Sequence, residues 1–185
     1  MSVKVQLKNF KNSNFHRGKN KFIEVLWYFC NLLFLKNSYN PISSIKVIIL
    51  RLFGAQVGNG VMIKPSVNIK FPWKLTIGND VWIGENVWID NLAEVVIKDN
   101  VCISQGALLL CGNHNYKRST FDLIIGPISL EEGTWVGAKS VVCPGVTLRS
   151  HSILAVNSVA NKDLEKYSIY QGNPAVKIRK RLINQ

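Results

Sequence analysis

From residue 57 onward the chain places an aliphatic residue at every sixth position and a small or β-branched residue four places after it. The units read VGNGVM from 57, IKPSVN from 63, IGNDVW from 77, IGENVW from 83, IDNLAE from 89, IKDNVC from 97 and ISQGAL from 103. They resume as LEEGTW from 130, VGAKSV from 136, VCPGVT from 142, LRSHSI from 148 and LAVNSV from 154. A period of six fits neither the 3.6-residue helix nor the two-residue alternation of a plain strand. It fits short strands separated by turns, three units to a triangular coil, with the aliphatic openers stacked in ladders inside a prism. Gly58, Gly78, Gly84 and Gly137 follow their openers, and Asn-Asp, Asn-Gly and Pro-Gly pairs supply turn residues for the corners.

Two kinds of break interrupt the register. The steps from 69 to 77 and from 89 to 97 are eight residues long, which predicts two-residue bulges at two corners. The step from 109 to 130 holds LLCGNHNYKRSTFDLIIGPIS, so a loop leaves the solenoid there. An insertion on one face of a repeat protein commonly marks its binding side.

Ahead of the repeat, residues 20–36 and 42–53 read as helices separated by Pro41. The first is apolar or aromatic nearly all round, and two uses for it stay open. It can cap the end of the solenoid and cover unpaired strand edges, or it can dock on a membrane or a lipid-linked substrate. Beyond the repeat the tail reads as a loop and a basic extended or helical arm. The chain therefore divides into 1–53, a basic segment with capping helices; 54–160, the solenoid with a loop at 110–129; and 161–185, the basic arm.

Charge refines this division. The net charge of +12 is spread as +8 over residues 1–51, zero over 52–160 and +4 over 161–185. A neutral centre lacks the continuous basic face that nucleic-acid binding requires, whereas basic ends suit anionic small molecules or a membrane surface. No stretch approaches the roughly 18 uninterrupted apolar residues of a membrane span, and the N-terminal segment is too polar for a secretory signal. The expected location is cytoplasmic, with peripheral contact at the inner membrane left open. Cys30, Cys102, Cys111 and Cys143 lie far apart with no CxxC pair, so they read as reduced packing residues rather than a zinc ribbon or disulfide framework.

With CGNH at 111–114, EEGTWVGAKSVVCPGVTL at 131–148 and NKDLEKYSIYQGNPAVKIRKR at 161–181, the sequence resembles the hexapeptide-repeat acyltransferases. Within them it resembles the colanic-acid-biosynthesis branch of the maltose, galactoside and serine acetyltransferase group. The resemblance implies an all-β fold, a left-handed parallel β-helix, and a homotrimer with active sites between neighbouring prisms. It further implies transfer of acetyl from acetyl-CoA to a sugar hydroxyl in polysaccharide biosynthesis, with no metal.

Such a transfer needs a base near the acceptor hydroxyl, a donor for the tetrahedral intermediate and a slot for the CoA arm. Of the three histidines, His16 lies in the polar N-terminal segment and His151 takes the fourth place of a repeat unit, expected to face solvent. His114, in the excursion, matches the family's catalytic histidine. The resemblance puts Asn86 where the family holds a polar acceptor contact, with Asp90 and Asn91 nearby. Trp82, Trp88 and Trp135 share the sixth place of their units, so they project outward and either line a sugar-stacking wall, the role expected for Trp135, or pack at a subunit interface. For CoA the match implies Gly137, Ala138, Val156, Asn161 and Lys162 along the pantetheine groove, with Arg179 and Lys180 reaching the nucleotide phosphates. LAVNSVANKD stands where the family is richer in glycine, which narrows the groove and favours acetyl over longer acyl groups.

Other classes fare worse on the same residues. A scaffold needs no Gly-Asn-His loop, and a γ-type carbonic anhydrase needs three zinc-binding histidines that this chain cannot supply. Amine acceptors, as in nucleotide-sugar N-acetyltransferases or serine-type acetyltransferases, stay open, although the long N-terminal helical domain of the latter is missing from the pattern.

Overall fold

The computed structural model describes residues 3–10, 12 and 15–184. The repeat folds as predicted into stacked parallel coils with three faces. The first face runs Gln56–Val57, Leu75–Ile77, Val95–Ile97, Ile128–Leu130 and Thr147–Leu148. The second runs Met62–Ile63, Trp82–Ile83, Cys102–Ile103, Trp135–Val136, Ile153–Leu154 and Ser168–Gly172, closed by Ala175–Lys180. The third runs Asn68–Ile69, Trp88–Asp90, Leu108–Leu110, Val141–Val142 and Val159–Ala160. Every pairing between coils is parallel, and the repeat openers carry the core: Ile63, Ile83, Ile103, Val136 and Leu154 form one fully buried ladder. Each such side chain contributes about 1.5–3 kcal/mol of apolar burial.

The corners use two different devices. The fourth residue of every unit but the one from 89 takes a left-handed conformation: Ser66, Asp80, Asn86, Asn100, Lys139, His151 and Asn157 all lie at φ of 55 to 61°, and Gly60, Gly106, Gly133 and Gly145 at 66 to 81°. That geometry turns the chain, and its N–H donates to the coil below, as Asp80 does to the Asn59 carbonyl at 2.8 Å. The glycines that follow openers serve another purpose than the turn expected of them. A Cβ on Gly84 would lie 2.6 Å from the Gln105 nitrogen, and one on Gly137 would lie 2.6 Å from the Val156 nitrogen. These positions are glycine because the next coil's backbone passes directly over them.

All of the irregular length falls on one edge, between the third face and the first. It holds the turn at Pro72–Lys74, residues 91–94 and the hairpin of Gly112–His114 with Leu123–Ile125. The other two edges keep tight four-residue corners.

The helices close the solenoid's first end. Helix α1 (Lys21–Cys30) continues as a widened π-helical stretch over Asn31–Leu35, and α2 spans Ser43–Leu52. Their inward side chains occupy the edge groups of the first coil on every face. Arg51 donates to the Val57 and Gly58 carbonyls at 2.8 Å on the first face. The Lys46 ammonium, fully buried, donates to the Ile63 and Lys64 carbonyls on the second, and Ser43 bonds both polar groups of Ile63. On the third, the Trp27 indole donates to the Ile69 carbonyl at 3.0 Å. Burial lowers the Lys46 pKa, helped by the Lys64 charge nearby.

At the other end, residues beyond 160 continue the coil path. Leu164 bridges Leu148, Ser168–Gly172 pairs parallel with Ile153–Leu154, and Ala175–Lys180 folds back antiparallel. The basic arm is thus extended rather than helical.

Candidate active site

His114 ends the outgoing strand of the loop hairpin, in register with Leu123. Its Nδ1 lies 2.9 Å from the Phe121 carbonyl oxygen, its ring stacks on the Phe121 ring at 4.4 Å, and Phe10 meets it edge-on at 5.8 Å. A carbonyl oxygen only accepts, so Nδ1 is the donor in this contact, and in the neutral ring Nε2 is then the acceptor. A histidine held in this way presents a proton acceptor in a fixed direction.

Phe10 belongs to an N-terminal strap. The Gln6 N–H donates to the Ser119 carbonyl at 2.8 Å, which ties the strap to the tip of the loop. Residues 15–18 are fastened to the turn at Pro72–Lys74: the Trp73 indole donates to the Arg17 carbonyl and Lys74 to the His16 carbonyl. Neither Phe10 nor Phe121 was marked by the sequence pattern, because both lie outside the repeat and their roles come from packing and from a backbone oxygen.

Asp90 lies at the root of the same loop. Its carboxylate is almost fully buried and pairs with Lys70 at 2.8 Å, and its carbonyl accepts the Cys111 N–H. Asn91 is wholly buried, accepting the Phe71 N–H and donating to the Phe71 carbonyl, so it stitches two coils together. The Cys111 thiol is pushed up to about 11 by burial, which keeps it un-ionised.

The remaining candidate residues separate by edge. Asn86, Gly137, Ala138 and Val156 stack along the edge between the second and third faces. Asn86 is exposed there in the left-handed corner conformation, with its N–H on the Pro65 carbonyl, and Val156 is also exposed. The GNPA turn at Gly172–Ala175 joins this edge, its Gly172 N–H donating to the Ser158 hydroxyl. Asn161 and Lys162, both exposed, instead follow the third face and share an edge with Asp90 and His114. Trp135 stands half exposed on the second face, its indole donating to the Ser104 hydroxyl at 2.9 Å. Arg179 and Lys180 are exposed at the end of the closing strand and make no ion pair among the described residues. Within one chain, then, the histidine and the Gly137–Val156 groove lie on different edges of the prism.

His151, expected to face solvent, is half buried: its ring stacks on Tyr167 at 4.8 Å with planes 5° apart. The left-handed corner directs it onto the following coil. Among the described residues no group of three or more His, Cys, Asp or Glu side chains is placed to hold a metal ion.

No family model matches the chain. It is 35% identical over 166 residues to the colanic acid biosynthesis acetyltransferase WcaF of Escherichia coli (strain K12), covering 90% of this chain and 91% of that one. It is 28% identical over 128 residues to the galactoside O-acetyltransferase of the same organism, covering 68% and 63%. The structure of a hexapeptide-repeat acetyltransferase of Vibrio cholerae O1 biovar eltor, solved with acetyl coenzyme A, superposes with a TM-score of 0.80 at 22% identity over 95% of this chain and 97% of that one. Fold and repeat together define an acyltransferase of the hexapeptide-repeat class. The chain belongs to the colanic acid biosynthesis acetyltransferase family within it.

Proposed function

We propose that this protein transfers the acetyl group of acetyl-CoA to a hydroxyl of a saccharide during polysaccharide biosynthesis, with His114 as general base. The observation that carries the reading is the anchored imidazole: its Nδ1 proton is engaged by the Phe121 carbonyl, which leaves Nε2 to accept the acceptor's proton. Bound acetyl-CoA supplies a thioester carbonyl as the electrophile. The hydroxyl oxygen forms the new C–O bond as its proton passes to Nε2, the C–S bond breaks, and Nε2 returns that proton to the departing sulfur.

The donor site is assigned to Gly137, Ala138 and Val156 along the pantetheine arm, joined by Asn161 and Lys162 from the His114 edge of a neighbouring copy, with Arg179 and Lys180 toward the phosphates. Gly137 and Ala138 leave room for an extended thiol arm, and the exposed cations Lys162, Arg179 and Lys180 suit an anionic nucleotide. Asn86, Asp90 and Trp135 are assigned to the acceptor side. For Asp90 this means action through Lys70, since its own carboxylate is engaged.

The separation of the edges supports a homotrimer. The His114 loop on one edge needs the Gly137–Val156 edge as its facing wall, and a neighbouring copy supplies it when prisms pack side by side.

Peripheral membrane contact is supported by the outward faces of the helices. Phe22, Val25, Leu26 and Phe29 form an exposed stripe on α1, continued by Leu33, while Ile42, Ile45, Ile48 and Leu52 are exposed along α2. Lys19, Lys21, Lys36 and Arg51 border them, and Glu24, the only carboxylate on these helices among the described residues, is paired with Arg17. A basic rim suits an anionic lipid surface and disfavours a second copy of the same face. Capping and docking thus fall to opposite sides of the same helices.

The test is release of free thiol from acetyl-CoA across a panel of sugars, sugar nucleotides and oligosaccharides. Acceptor-dependent release with an ester product supports the proposal; release only with amino sugars, giving an amide, overturns it.

A further inference from the structure

Between α1 and the start of the third face lies a cleft of about 300 Å³ that the catalytic chemistry does not use. Its floor contains Asn31, which is 92% buried. The Asn31 amide nitrogen donates to the Asn68 side-chain oxygen at 2.8 Å, while its own Oδ1 has no hydrogen-bond partner. A buried acceptor left without a donor costs about 1–3 kcal/mol, so it calls for a group that supplies one. The walls are aromatic and cationic: the indole of Trp88 and the ring of Tyr28 stand partly exposed, and Arg17, Lys36 and Lys70 line the rim against Glu24 alone. Lys36 makes no ion pair among the described residues.

We infer that this cleft binds an anionic sugar unit. A pyranose offers hydroxyl donors for Asn31 Oδ1, a C–H face to lie on Trp88, and, when it carries a carboxylate or phosphate, a charge for Lys36. A volume of about 300 Å³ is at the small end of ligand sites, which suits one such unit. A purely apolar ligand would leave Asn31 Oδ1 unpaired, and an anion without hydroxyls would add an acceptor where a donor is required.

The cleft is connected to the reaction centre by an ion pair and a hydrogen bond. Lys70 on its rim pairs with Asp90, and Asp90 holds the root of the loop that carries His114. An acceptor lying across this edge places one sugar in the cleft while another presents its hydroxyl to the imidazole. The inference rests on the saccharide reading of the acceptor, and it makes the cleft a subsite that selects acidic chains.

Direct binding separates the two claims, because it needs no transfer. Glucuronic acid, glucose 1-phosphate and glucose are titrated by calorimetry and ligand-observed NMR into the wild-type protein and into Trp88→Ala, Lys36→Gln and His114→Ala. Saturable binding of at least one anionic sugar, weakened tenfold or more by Trp88→Ala and severalfold by Lys36→Gln but unchanged in His114→Ala, is expected. Preference for glucuronic acid identifies the carboxylate form, and preference for glucose 1-phosphate the phosphate form. Equal binding of glucose, no binding by the folded wild type, or binding indifferent to both cleft variants overturns the inference.

Discussion

His114 and Phe121 are joined twice, by the 2.9 Å contact from Nδ1 to the carbonyl oxygen and by ring stacking with planes 8° apart. Phe121 holds this pose at φ of 52°, a left-handed conformation that is uncommon for a bulky side chain. The loop therefore keeps one residue strained so that its carbonyl turns toward the imidazole, as expected where backbone strain serves a site.

Removing the base is expected to abolish most transfer. His114→Ala should lower kcat by about 100- to 10,000-fold, the range typical of general acid–base catalysis. Thermal unfolding should shift little, since the ring lies outside the buried ladders. Retention of more than about a tenth of wild-type kcat would remove the assignment.

The strap is expected to matter through the histidine's position. Phe10→Ala should reduce kcat by about tenfold, within the loss that a misplacement of 1 Å produces, with KM for acetyl-CoA unchanged. In a His114→Ala background the same change should add almost nothing, because the two residues act together. A full additional loss in the double variant would show that Phe10 acts independently.

Donor binding is expected to respond to the cations. Arg179→Ala and Lys162→Ala should raise KM for acetyl-CoA at near-constant kcat, since phosphate contacts hold ground and transition states alike. Gly137→Ala should instead lower the melting temperature, because its Cβ would meet the Val156 nitrogen at 2.6 Å. A drop in kcat with normal KM in either cation variant would place that residue in the chemistry.

Complementation tests the paired edges. Co-expressed His114→Ala and Ala138→Trp chains, each expected to be inactive alone, should regain part of the activity when mixed trimers form. A site contained within one chain would show no recovery.

The buried cap should be costly to lose. Lys46→Met leaves the Lys64 carbonyl without its donor, at about 1–3 kcal/mol, and the Ile63 carbonyl with the Ser43 hydroxyl alone. Its pKa is lowered in the folded state, so between that value and the ordinary lysine value the unfolded chain binds more protons and stability rises with pH. The stability gap between wild type and Lys46→Met should accordingly widen as pH increases toward about 10; a gap that narrows over this range contradicts the burial of the charged amine.

The solenoid was legible because its period is written in apolar residues: Ile63, Ile83 and Ile103 recur at a fixed interval and every one is buried. What pattern alone could not reach was the glycine role at Gly84, which depends on the neighbouring coil, and the contacts of Phe10 and Phe121, which depend on how a loop and a strap meet. Asn86 shows the opposite limit: a residue matched by resemblance to a ligand contact also satisfies every requirement of an ordinary corner.

Parallel coils with an open end are a template for fibre growth, since each new copy would find a ready strand to extend. Here the first coil's carbonyls at Val57, Ile63 and Ile69 are already occupied by Arg51, Lys46 and Trp27. Head-to-tail addition needs both ends free, so the three side chains that block one end are sufficient to stop polymerisation.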